Sequence, residues 1–113
     1  MFKGLGALGN LPGMGNLMKQ AQEMQAKLAD IEAALATQRV HGSAGGGMVA
    51  VVANGKQEIQ TIVIEPELLV PEEIEMLQDM LIAAVNQALE ASRQLRVEKM
   101  AEVTGGLKIP GLM

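Results

Sequence analysis

An α+β domain with the element order α-β-β-β-α is what this sequence predicts, and three observations carry it. The stretch Gly45 to Ile64, GGGMVAVVANGKQEIQTIVI, is dense in β-branched residues, which suit a pleated, half-buried surface, and Asn54-Gly55 breaks it as a hairpin turn would. Upstream, Leu17, Ala21, Met24, Leu28, Ile31 and Leu35 recur at alternating spacings of four and three, a helical seam. Downstream, an apolar helical run follows Pro71.

In chain order, residues 1 to 16 are Gly-rich without periodicity and read as a flexible arm, with Asn16 as the expected helix N-cap. The seam from Leu17 spans about three heptads, so it fits a short coiled coil and an amphipathic helix on its own sheet equally well. Lys19, Glu23 and Lys27 stand four apart on another face, where intrahelical ion pairs of roughly 0.3 kcal/mol each are expected. Arg39 to Gly42 reads as a short first strand, giving the hairpin the third strand that stability in water demands.

The hairpin admits two registers. A two-residue loop sets Val51 opposite Glu58. A three-residue loop, Ala53 to Gly55 with Gly55 left-handed, instead places Val49, Val51, Ile59, Thr61 and Val63 on one face and is preferred. Glu65-Pro66 ends the last strand. Proline at position 71 then suits a first helical turn, and Glu72, Glu73, Glu75 and Asp79 favour the positive end of the helix dipole.

The second helix is expected from Pro71 to about Thr104, capped by Gly105, a length of roughly 50 Å that so small a sheet cannot cover. Its middle, Met80 to Val85 with Ala88 and Leu89, is apolar nearly all round. One side can face the sheet and the other needs a second subunit, so a homodimer is expected. Beyond Glu90, Arg93, Arg96 and Lys99 form a basic stripe that can bind phosphates or be a solvated face near a helix end, and charge alone favours the second. The tail GGLKIPGLM is apolar and suited to docking on a neighbour.

Composition narrows the function. With 113 residues the chain is one domain, residues 1–113, and the single aromatic, Phe2, leaves an aliphatic core with nine Met. The absence of Cys removes disulfides and thiolate metal sites and fits a reducing cytoplasm. No apolar run approaches the about 20 residues that span a bilayer, and glycines interrupt any signal-peptide core after Met1-Phe2-Lys3. The net charge of −4 is unevenly spread: +2 over residues 1–57, −7 over 58–79 and +1 over 80–113. His41, the only histidine, has no nitrogen or sulfur neighbour in sequence to make a metal site or a catalytic dyad. Gly45-Gly46-Gly47 lacks the Gly-Lys-Ser/Thr and the helix of a phosphate loop. No nucleophile, base and orienting group assemble from Ser43, Ser92, His41 and the carboxylates, so no enzyme, catalytic residue, metal or cofactor is expected.

Taken together, GNLMKQAQ at Gly15–Gln22, GGGMV at Gly45–Val49, NGK at Asn54–Lys56, IEP at Ile64–Pro66, AAVNQAL at Ala83–Leu89 and TGGL at Thr104–Leu107 with Pro110-Gly111 resemble the YbaB/EbfC family of bacterial nucleoid-associated proteins. The resemblance covers roughly residues 14–111 and rests on the order and spacing of motifs that are individually weak. It implies a tweezer-like homodimer with projecting helices that binds double-stranded DNA in the cytoplasmic nucleoid. Two departures stand out: Ala50, Gln60 and Val63 occupy strand positions that are often Lys in relatives, and the arm GLGALGNLPGM is longer. The expected phosphate contacts therefore move to the helices, at Lys19, Lys27, Arg93, Arg96 and Lys99. Without aromatics for base stacking or a recognition helix, little sequence preference is expected. The alternative is a protein-interaction scaffold for replication or recombination proteins, with DNA contact secondary.

Overall fold

The computed structural model describes residues 14–103, so the N-terminal arm, the Gly105 cap and the apolar tail lie outside the described residues. Helix α1 runs Met14–Thr37, strands β1, β2 and β3 run Arg39–Ala44, Val49–Asn54 and Ile59–Ile64, and helix α2 runs Ile74–Val103. Single 3-10 turns at Gly45–Gly47, Pro66–Leu68 and Pro71–Glu73 join them. The order α-β-β-β-α is the predicted one. Helix α1 begins two residues ahead of Asn16, which is therefore helical and not a cap; Pro12-Gly13 just upstream is the stronger break in the sequence.

The strands form one antiparallel sheet in the order β1-β2-β3. Strand β1 is two residues longer than predicted, because Ser43 and Ala44 continue its pairing with Ala50 and Val49. The hairpin loop has the predicted three residues but sits two positions further on, at Gly55–Gln57. Asn54 N–H donates to Glu58 O at 3.0 Å, and the left-handed residue is Gln57 at φ 63°, not Gly55. Ile59 keeps its predicted face, opposite Ala53. Gln60 is then bulged out where the register shifts, so Thr61 pairs with Val52 and Val63 with Ala50 on the far side, while Ile62 and Ile64 join Val51 and Val49. A single extra residue in one strand inverts every side chain beyond it.

The inner face is built for close approach. Val49, Val51 and Ala53 are fully buried against α2, where Ala84, Ala88 and Ser92, spaced by four, are also fully buried. Small residues at this spacing present a flat helix flank, and β1 crosses it at Gly42. A β-carbon on Gly42 would lie 2.2 Å from Ala84 O and 2.5 Å from Ala88 N. Leu68, from the turn after β3, closes the cluster. Neither Ile62 nor Ile59 on β3 is covered, and the outer face of the sheet, carrying His41, Ser43, Ala50, Val52, Thr61 and Val63, has no element over it among the described residues.

Two glycines separate steric from conformational cost. Gly42→Ala forces backbone apart and is expected to destabilise the protein by about 2–3 kcal/mol in urea unfolding. Gly46→Ala meets open space at φ +68°, and should cost only the left-handed penalty of about 1–2 kcal/mol.

Candidate nucleic-acid interface

The end of α1, the hairpin turn and the middle of α2 meet at one corner. Asn54 is 3 % exposed, yet its side chain is fully used. Its Oδ1 accepts from Lys56 N–H at 2.9 Å and Glu58 N–H at 3.1 Å, and its Nδ2 donates to Ala36 O and to Glu58 Oε1. Gly55 N–H donates to Leu35 O at 2.7 Å, filling one of the open carbonyls at the helix end. A β-carbon on Gly55 would lie 2.9 Å from that oxygen. On the other side, Gln57 N–H donates to the buried Ser92 Oγ at 2.9 Å. Asn-Gly is present here because the side-chain amide caps both helix and turn while the glycine admits the helix backbone.

From this corner α1 and α2 leave the sheet side by side and antiparallel. Arg96 meets Glu32, and further out Ile31, Lys27 and Met24 approach Val103. The apolar seam of α1 follows that geometry: Leu35 and Ile31 are buried, Leu28 and Met24 half-buried, and Leu17 is 60 % exposed. The two helices thus form an arm with an open cleft of about 270 Å³ lined by Gln20, Glu23, Met24, Lys27 and Val103.

All five basic residues singled out in the sequence fall on this arm, in different electrostatic states. Lys19 and Lys27 are exposed and make no ion pair among the described residues; the expected pairs with Glu23 do not form, as is common where water and salt screen an exposed helix face. Arg93 holds Glu90 one turn away at 2.6 Å, and Lys99 stands 3.9 Å from Glu102. Arg96 is different. It reaches across to α1 and grips Glu32 with both guanidinium nitrogens, Nη1 to Oε1 at 2.5 Å and Nη2 to Oε2 at 3.2 Å. Sequence reading missed Glu32, since a partner 64 residues away leaves no local signal. It also missed Arg39 and Lys56, two exposed cations that make no ion pair among the described residues, near the hairpin turn.

The Arg96 hydrogen bond is the main reason that the Glu32 carboxyl titrates below its ordinary range, and the same contact pushes Arg96 up. Glu90 is lowered in the same way by its hydrogen bond from Arg93. His41 lies exposed on the open face of the sheet, and no group of His, Cys, Asp and Glu able to hold a metal occurs among the described residues. No described helix is long and apolar enough to cross a membrane.

The fold and this arm define a small helix–sheet–helix protein with most of its described cations on two projecting helices. The chain belongs to the YbaB/EbfC DNA-binding family, which it matches over residues 10–107. Its relatives include a nucleoid-associated protein of Alkaliphilus metalliredigens, 46% identical over 110 residues that cover 97% of this chain and 96% of the relative. Another, a nucleoid-associated protein of Pelotomaculum thermopropionicum, is 50% identical over 99 residues, covering 88% and 94%. The crystal structure of Helicobacter pylori protein HP0035 superposes with a TM-score of 0.74 at 26% identity, covering 81% of this chain and 97% of that one.

Because the folded-state pKa of Glu32 is depressed, its bridge stabilises the protein fully above the unfolded carboxylate pKa and loses that contribution as pH falls through the lower folded value. The urea midpoint of Glu32→Gln is therefore expected below that of wild type at pH 7. The gap should close on acidification to well below the ordinary value of 4.5.

Proposed function

We propose that the chain is a non-enzymatic, nucleoid-associated protein that binds double-stranded DNA as a homodimer in the bacterial cytoplasm, with little sequence preference. Membership of the YbaB/EbfC DNA-binding family along most of the chain is the observation that carries this reading. The geometry supplies the means. Lys19 and Lys27 present free ammonium groups along α1, and the exposed Arg93 and half-buried Lys99 sit in short-range pairs that phosphate can replace. Six carboxylates, Glu23, Asp30, Glu32, Glu90, Glu98 and Glu102, share the arm with its five cations, so attraction to DNA rests on local contacts and should be modest. The one aromatic, Phe2, offers no stacking platform for unpaired bases.

Dimerisation answers the uncovered apolar surface. Ile62 is 44 % exposed, Val63 57 % and Ile82 61 %, and Leu81, Ile82, Val85 and Asn86 line a shallow apolar depression on α2. A second copy would bury this surface and double the number of phosphate contacts on one duplex.

Fluorescence anisotropy of two unrelated labelled duplexes, titrated across a salt series, tests the DNA reading. Similar affinities that weaken with salt are expected, and Lys19→Gln with Lys27→Gln should flatten the log–log slope by about 0.9 per contact removed. Absence of binding at low salt would instead favour a scaffold for replication or recombination proteins. For the dimer, sedimentation equilibrium should give twice the chain mass of 11.9 kDa, with Ile62→Asp and Ile82→Asp each shifting the population toward monomer.

A further inference from the structure

Among the described residues the Glu32–Arg96 contact is the one ion pair that joins two elements, and it lies at the base of the arm. Beyond Ile31, which is buried next to it, the α1 side chains are only half-buried or exposed, so apolar packing holds this part of the helix weakly. Inward of it lie the buried Leu35 and the Asn54 corner. A two-nitrogen, two-oxygen contact fixes direction as well as distance, because the planar fork and the carboxylate must align. We infer that Arg96 is a positioning residue, whose grip on Glu32 sets the angle at which α1 projects along α2 and hence where Lys19 and Lys27 are held, and that it does not itself contact phosphate. This inference rests on the DNA-binding reading and goes beyond it by separating Arg96 from the other arm cations.

The sign of one substitution decides it. Glu32→Gln removes a negative charge from the arm and frees the guanidinium. If Arg96 were a phosphate contact, DNA would bind more tightly; a positioning role requires weaker binding despite the gained charge. Anisotropy on the full-length protein is expected to show affinity about threefold or more lower for Glu32→Gln and for Arg96→Gln. The salt slope of Arg96→Gln should stay at the wild-type value, and the charge swap Glu32→Arg with Arg96→Glu should recover affinity. Tighter binding by Glu32→Gln, or a slope lowered by about 0.9 in Arg96→Gln, would overturn the inference.

A second readout needs no DNA. The chain contains no Cys, so spin labels can be placed at exposed Gln22→Cys and Ala101→Cys, with labelled chains diluted into unlabelled ones. The distance distribution should be narrow in the otherwise wild-type protein, broaden in Glu32→Gln and Arg96→Gln, and narrow again in the swap. An unchanged distribution in Glu32→Gln would refute the positioning role whether or not the protein binds DNA. If wild type bound no DNA while the distribution responded as expected, the DNA-binding reading would fall and the helix-setting role would stand.

Discussion

The arrangement depends on one buried amide. Asn54 lies where the hairpin turns, and without its side chain the carbonyl of Ala36 and the N–H groups of Lys56 and Glu58 would lose the partner that ties the turn to the helix end. A hydrogen bond of this kind contributes about 0.5–1.5 kcal/mol net, so several lost together are a large share of a small protein's stability. Gly55 beside it lets the end of α1 come into backbone contact, and Gln57 ties the same turn to Ser92 on α2. Both helices are therefore referenced to a three-residue loop. Their common direction away from the sheet, which makes the arm, begins at that corner.

Charge is separated along the long axis of α2. Of the seven carboxylates of residues 58–79, Glu58 stands at the hairpin corner and the other six fall after β3, on the following turns and the opening of α2, where Glu72, Glu73 and Glu75 favour the positive end of the helix dipole. Glu72, Glu73, Glu75 and Asp79 lie at the start of a helix about 45 Å long, and the basic stripe comes after its middle. The overall charge of −4 is thus a poor guide to the field at the arm, where cations and carboxylates nearly balance. In such a setting the pairing of each cation matters more than the total. Lys27 facing solvent and Arg96 locked to Glu32 carry the same formal charge and offer a polyanion different things.

Much of this was legible in the residues. Two helical periodicities around a β-branched hairpin give the element order, and the family motifs agree with it. Small residues at Gly42, Ala84 and Ala88 make sense only once strand and helix are superposed, because a close approach is a relation between segments. The hairpin illustrates the limit. Asn-Gly announces a tight turn, yet the glycine is used for contact with Leu35 and the positive φ moves to Gln57. The bulge at Gln60 then sends Thr61 and Val63 to the outer face, which alternation alone could not reveal, since both faces of β3 are apolar enough to accept either register.

By itself the sequence determined the fold class, the order of the elements and the list of available cations, since these follow from local propensity, side-chain period and composition. Tertiary structure decided the state of those cations. Lys19 and Lys27 are left without an ion-pair partner and Arg96 is tied to Glu32, because an ion pair forms only where folding brings opposite charges within hydrogen-bond reach, and 64 residues of intervening chain hide that meeting from any local pattern.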